Sequence, residues 1–329
     1  MNDHANAMDA SPFLSKSAAT CPADLIRRAQ PDGQAMRLAV VRASAPLPLT
    51  SARAAAEAGI ATPILIGEAD DIRRHAETIG WQLDDTRIID TDGEKAAVEA
   101  ATSLVREGEA DALMKGQLHT DVFMAGIIAR DAGIRIGRRM VHIFALFPPE
   151  GGKPLLISDG AVNVTPDMET RKEMILAMTR LLHGLGRSRP KIAILSATET
   201  PIPSVPSSME AQALAQWASH HVEAADISGP LSLDLAIAPE AVAIKGMQAD
   251  HVAGAADGII VPDINTGNVL FKALVWFRSA CAAGIVEGGR VPIILTSRAD
   301  PPAARTASIA LAAISHRTTS QRTDSKETT

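Results

Sequence analysis

Four short stretches of this 329-residue chain gather the side chains that anion binding and proton transfer need. The most concentrated is TSRAD at 296–300, which follows the apolar run VPIIL at 291–295. Arg298 can hold a phosphate or carboxylate through two parallel N–H bonds. Ser297 can donate to an oxygen that gains negative charge during a reaction. Asp300 can accept a proton. The same residues also suit a plain surface ion pair, with Ser297 or Asp300 capping a helix that Pro301 opens.

The second stretch is KGQLHTD at 115–121. Lys115 supplies a cation, and Gly116 lets backbone come close to a ligand. Thr120 can cap a helix whose first amides favour an anion, with His119 just before it. A strand-to-helix turn with a solvated Lys and His fits equally. The third, SDGAVNVTP at 158–166, pairs a turn signal, Asp159-Gly160, with Asn163 and Thr165, which can face a ligand or merely lead into a helix. The fourth, DINTGN at 263–268, offers Thr266, Gly267 and Asn268 at a helix start, as a cap or for close approach to a ligand.

Each stretch follows an apolar run. Runs at 36–41, 62–67, 111–114, 141–147, 154–158, 191–196, 234–238, 258–262 and 291–296 read as strands. Helical patterns at 96–107, 120–132, 166–183, 207–220 and 302–314 lie between or after them. Thr165 with Pro166 predicts one helix start and Gly184 its stop; Ser207 with Glu210 fits a capping box. The alternation predicts βαβ units around mostly parallel sheets, where ligands bind beyond strand carboxyl ends. At 141–158 two strands flank PPEGGK, which predicts a hairpin or an antiparallel edge. Nine strands exceed the usual size of one sheet, so two α/β domains are expected, joined near 140–145 with a cleft between them. The polar stretches 1–19 and 316–329 lack periodicity and read as unstructured.

Composition narrows the function classes. A net charge of −6 gives no global field for nucleic acid or anionic membrane. Aromatics are 3% with no Tyr, which argues against base-stacking platforms. Cys21 and Cys281 follow no metal or redox spacing, and the start of the chain has no apolar signal-peptide core. These features predict a cytoplasmic protein. The fingerprints GxGxxG, Walker A, HExxH and GxSxG are all missing.

DALMKGQLHTDVFMAGI (111–127), GIRIGRRMVHIF (133–144), SDGAVNVTPDMET (158–170), KIAILSATE (191–199), SGPLSLDLAI (228–237), VPDINTGNVLFK (261–272) and VPIILTSRAD (291–300) together resemble the phosphate acetyl/butyryltransferase family. The resemblance covers roughly 35–315. It implies exchange of an acyl group between CoA and orthophosphate, giving acyl phosphate and free CoA, without a metal or redox cofactor. It implies two α/β/α domains with mostly parallel sheets, arranged as in isocitrate and isopropylmalate dehydrogenases, and a homodimer. Residues 20–142 with 299–329 would form the first domain, and 143–298 would be inserted as the second.

The resemblance implies roles for Ser297 and Arg298 as oxyanion and phosphate partners. It also points to Arg138 as a second anion-binding arginine, with Arg139 its rival. Lys115, His119, Thr120, Asp159, Asn163, Thr266 and Asn268 become candidate substrate contacts. The proton acceptor is less well marked. Ala299 and Ala304 stand where acetyl-type members carry Gly and Asp, whereas Asp300 matches the SRAD form of butyryl-type members. Gly160 stands where some acetyl-type members carry a cysteine. Two alternatives remain open from the sequence: a metal-dependent hydroxy-acid dehydrogenase-like enzyme using Asp234, Asp257 and Asp263, and a non-catalytic acyl-CoA or phosphate sensor.

Overall fold

The computed structural model describes residues 11–295 and 300–327, with side chains described to 320. Five parallel strands form one wing of the sheet: β1 (Met36–Val41), β2 (Ala61–Gly67), β3 (Arg87–Asp90), β4 (Ala112–Lys115) and β11 (Ile293–Ile294). Four more form the other: β6 (Leu155–Ser158), β7 (Lys191–Leu195), β8 (Asp226–Leu231) and β9 (Gly258–Ile260). Between them run β10 (Cys281–Glu287) and β5 (Val141–Phe147), giving the order β3-β2-β1-β4-β11-β10-β5-β6-β9-β7-β8.

The central pairings reverse direction three times. β11 is antiparallel to β10, β10 to β5, and β5 to β6. An odd number of reversals inverts the sheet, so the strands of the two wings end at opposite edges. The expected hairpin at 141–158 is present, but it lies inside the sheet, where β10 and β9 flank it. The ladder is continuous across the expected boundary at 142/143, which falls within β5. The first wing also takes β11 from the segment expected in the inserted domain. The join is narrow: β11 has two residues, and Val286 opposite Ile293 is its one register pair with β10.

Four elements differ from the sequence reading. DLAIA does not form a strand; it lies in the short helix α8 (Leu233–Ile237), which buries Leu235 and Ala236. β3 and β8 were not expected because they are edge strands with polar, half-exposed residues, RIID and DISGPL. β10, CAAGIVE, is buried but built largely from small side chains, so it lacks the β-branched signal of its neighbours.

Alternation sorts the core. On one face, Leu38, Val40, Ala283 and Ile285 pack with α1 (Ala23–Ala29), α2 (Pro46–Glu57), α3 (Ala69–Thr78), α6 (Met168–Gly184), α7 (Pro206–His221) and α11 (Pro302–Glu327). On the other, Ala39, Val41 and Val286 pack with α4 (Gly93–Arg106) and α5 (Thr120–Ile128). Ala282, on the same face of β10 as Val286, joins the core under α10 (Ile264–Arg278). α8 and α9 (Pro239–Lys245) cover the far end of this face.

Helix starts shift by a residue or two from expectation. Asp167, not Thr165, caps α6, accepting from the Thr170 N–H at 2.8 Å. α7 opens at Pro206, and Ser207 turns instead to Ser196, 3.0 Å away. The described parts of two stretches that read as unstructured, 11–19 and 316–327, are ordered by packing. Ser15 N–H donates to the Trp276 carbonyl at 2.9 Å, and the Ser279 hydroxyl to the Ser17 carbonyl at 2.6 Å. α11 continues past 316 and lies close against α6 at Gly184, where a Cβ would stand 2.6 Å from Thr318 Oγ1. Among the described residues no helix is long and apolar enough to cross a membrane.

Candidate functional site

The exit of β4 is a folded-back turn. Gly116 N–H donates to the Val41 carbonyl at 2.9 Å and Gln117 N–H to the Arg42 carbonyl at 2.8 Å. A Cβ at Gly116 would come within 2.4 Å of the Arg42 carbonyl, so only glycine fits. Lys115, 8% exposed, ends the strand beside this turn. His119 is the N-cap residue of α5 and Thr120 its first helical residue, so the helix starts one position earlier than the sequence suggests. His119 Nδ1 lies 2.9 Å from Glu94 Oε1.

A charge network underlies that turn. Arg42, at φ +55°, meets Glu68 at 3.1 Å and Glu94 at 3.2 Å. Burial pushes Glu68 upward, but hydrogen bonds from Ser44, backbone amides and Arg42 outweigh it and hold the carboxyl at about 2. Arg42, Glu68 and Glu94 escaped the sequence reading because they are scattered over 53 residues (42 to 94) and form no motif.

The β11 exit leads into the second cluster. Ser297 and Arg298 lie outside the described residues. Asp300 is half-buried, and its carbonyl accepts from Arg305 Nε at 3.2 Å. Arg305 is only 3% exposed; burial lowers its pKa, and the Asp300 charge opposes that shift. Ala304, which the sequence reading set at the aspartate position of acetyl-type members, is buried in α11. One turn on, Ser308 accepts from Gly284 N–H at 3.0 Å, so α11 flanks β10 where β11 has ended. Arg305 sits five residues beyond Asp300, inside a helix, and no short motif marks it.

The third cluster is at the β6 exit, on the other wing. Asp159 is buried, and its carboxylate accepts four bonds: from His142 N–H (2.9 Å), Ala161 N–H (2.8 Å), Val162 N–H (2.9 Å) and Asn163 Nδ2 (2.7 Å). Asn163 Nδ2 also donates to the Met140 carbonyl at 2.9 Å. Asn268 Nδ2 donates to the Gly160 carbonyl at 3.2 Å, and Thr266 bonds the Asp263 cap through its N–H and hydroxyl at 2.8 and 3.1 Å. These four residues therefore build the loop and the α10 start themselves. Arg138 is exposed. Arg139, its rival, reaches Asp167 at the α6 start, 3.3 Å away.

His142 lies on the central strip between the wings, on the face where α10 packs over β5, β6 and β10. It is 1% exposed, its ring centroid lies 4.2 Å from that of Phe144, and its Nδ1 has no hydrogen-bond partner. Burial pushes its pKa down to about 4, against a weaker pull upward from Asp159. A lone His in VHIFALF was its only sequence signal.

The three aspartates considered for a metal are each committed elsewhere. Asp234 pairs with Lys245 at 3.1 Å, Asp257 with Lys153 and Arg187 at 3.3 and 2.9 Å, and Asp263 caps α10. Among the described residues no group of three or more His, Cys, Asp or Glu side chains could hold a metal ion.

The sheet order and the strand-exit clusters define an α/β protein with polar turns at its strand ends, and likeness to known proteins gives the family. A family model described as "Phosphate acetyl/butaryl transferase" matches residues 94–313. A phosphate acetyltransferase from Rhizobium meliloti is 40% identical over 298 residues, covering 87% of this chain and 94% of that protein. A phosphate butyryltransferase from Clostridium acetobutylicum is 34% identical over 267 residues, covering 81% and 88%. The structure of a branched-chain phosphotransacylase from Enterococcus faecalis V583 superposes with a TM-score of 0.73 at 28% identity, covering 85% of this chain and 99% of that one. A 4-hydroxythreonine-4-phosphate dehydrogenase from Burkholderia phymatum shares the fold alone, with a TM-score of 0.54 at 13% identity over 86% of this chain and 99% of that one. This chain belongs to the phosphate acetyl/butyryltransferase family.

Proposed function

We propose that this protein is an acyltransferase that exchanges short acyl groups between CoA and orthophosphate. The observation that carries the reading is the 40% identity to a phosphate acetyltransferase across 94% of that protein's length. In one direction the CoA thiolate attacks the carbonyl carbon of an acyl phosphate. The carbon–oxygen bond to phosphate breaks, and orthophosphate leaves with that electron pair. In the other direction a phosphate oxygen attacks the thioester, and CoA leaves as thiolate. Attack is direct, within a ternary complex, and CoA is a substrate rather than a resident cofactor.

The side chains take roles by the chemistry each can do. Ser297 donates to the carbonyl oxygen as it gains charge, and Arg298 holds phosphate. Asp300 takes the thiol proton, since a thiol attacks only once deprotonated. Lys115, His119 and Thr120 line the approach from the β4 exit, and Arg138 supplies a second cation. Asp159, Asn163, Thr266 and Asn268 act through the loop that they build. Two domains meeting along the β11–β10 join, and a homodimer, complete the reading. The exposed apolar side chains of α10, Val269 at 67% and Trp276 at 61%, support a dimer face there.

The test is phosphate-dependent release of CoA from acetyl-, propionyl- and butyryl-CoA with metals chelated. Release with at least one of them is expected. No phosphate-stimulated release with any would overturn the proposal. One methylene changes binding by only about 1–3 kcal/mol, so activity on two neighbouring chain lengths is expected.

A further inference from the structure

Arg42 stands in an unusual position. Its φ of +55° is uncommon for a residue with a side chain, and such a conformation persists where its surroundings hold it. The turn that leaves β4 is wrapped around it. The Arg42 carbonyl accepts from Gln117 N–H at 2.8 Å, and Arg42 Nη1 donates to the Gln117 carbonyl at 3.3 Å. One residue thus grips both polar groups of the Gln117 backbone, from its main chain and from its side chain.

The guanidinium has no freedom to swing away. Nε and Nη2 face Glu68 at 3.2 and 3.1 Å, and Nη1 faces Glu94 at 3.2 Å. Glu68 is itself fixed by Ser44 and by Gly93 N–H, at 3.2 Å, at the start of α4. Glu94 reaches on to His119, whose N–H it accepts at 3.3 Å. The network therefore ties β1, the β2 exit and α4 to both ends of the Gly116–His119 turn. Two carboxylates already neutralise Arg42, so it is poorly suited to binding an anion itself.

We propose that Arg42 is a positioning residue: it sets the turn between Lys115 and His119, and through it the placement of these two side chains for acyl-CoA or phosphate. This rests on the reading above, in which that turn lines the substrate approach. Lysine in place of arginine keeps the charge but lacks the planar fork that meets Glu68, Glu94 and the Gln117 carbonyl together.

Two measurements on the full-length protein test the proposal. The first is amide hydrogen exchange in Arg42→Lys and Arg42→Gln, which needs no catalysis. Exchange at Gln117 and Leu118 should quicken by about tenfold, the ratio that corresponds to losing one charge-assisted hydrogen bond. Unchanged exchange there overturns the clamp. The second is the split between KM and kcat. Both variants should raise KM for acyl-CoA or phosphate several-fold, Arg42→Lys less than Arg42→Gln, with kcat changed by less than about twofold. A merely structural role would lower the melting temperature and the active fraction while leaving KM alone, and that result also overturns the proposal. If the unaltered protein releases no CoA, the functional reading fails, while the exchange measurement still decides whether the clamp exists.

Discussion

Gly267 lies so close to Asp159 that a Cβ on the glycine would stand 2.4 Å from the aspartate's carbonyl oxygen. The first turn of α10 and the loop after β6 meet backbone to backbone, and neither can retreat, because Asp159 is held by four internal donors. Gly267→Ala is therefore expected to destabilise the fold by about 1–3 kcal/mol, as overpacking does. Gly33→Ala, where a Cβ would meet nothing within 4 Å, should change stability by less than about 0.5 kcal/mol. Urea unfolding of the two variants checks the contrast.

His142 gives stability a pH dependence whose sign follows from its burial. Unfolded, the imidazole takes up a proton near its ordinary 6.5; folded, it resists until about 4. The unfolded state thus binds more protons between those values, and stability falls as pH drops through the window. His142→Gln should flatten this part of the urea-midpoint profile between pH 6.5 and about 4. A variant profile parallel to that of the unaltered protein would count against a neutral, buried His142.

Asp300 is expected to act on the proton of the thiol. Asp300→Asn should lower kcat by ~10²–10⁴-fold and remove the acidic limb of the pH–rate profile. A near-normal rate with lowered stability would instead make Asp300 a partner of Arg305, whose buried charge it faces.

The exposed side of α10 should separate subunits when charged. Trp276→Asp is expected to shift the protein from dimer to monomer in light scattering behind size exclusion, with the far-ultraviolet circular dichroism unchanged. A monomeric parent protein, or a variant that remains dimeric, would remove α10 from the interface.

Much of the architecture was legible because buried parallel strands need continuous apolar runs. MRLAVV, TPILIG and KIAIL fold as such runs require, and VHIFALF, although antiparallel to both neighbours, is a continuous run because it too is buried in mid-sheet. What escaped had weaker or misleading local signals. β10 is made of alanine, glycine and cysteine in its first half, and its strand character comes from β5 beside it. DLAIA is apolar enough for a strand, yet a single helical turn buries the same Leu235. The sheet's change of direction has no local signature at all, because it depends on which strands pair. For the same reason the sequence suggested two separate sheets, whereas one sheet runs through both wings and their strands end at opposite edges.

The site was legible where residues cluster in sequence and illegible where they cluster only in space. KGQLHTD and SDGAVN could be picked out as turns. The Arg42–Glu68–Glu94 network draws on β1, the β2 exit and α4, and Arg305 enters from a helix whose outward pattern is ordinary. Asp159 and Asn163 read as possible ligand contacts because a loop's internal bonds use the same side chains that ligands do.

The two-residue strand β11 has a consequence for synthesis. It enters between β4 and β10 near the end of the chain, and α11, which follows it, packs on α1, α2, α6 and β10. While the nascent chain is still shorter than Ile293, β4 and β10 each present an open edge to solvent or to a ribosome-bound chaperone. Translation must pass Ile293 before those edges can close, and slowing it just before that point should lengthen the interval in which the polypeptide is prone to pair with its neighbours.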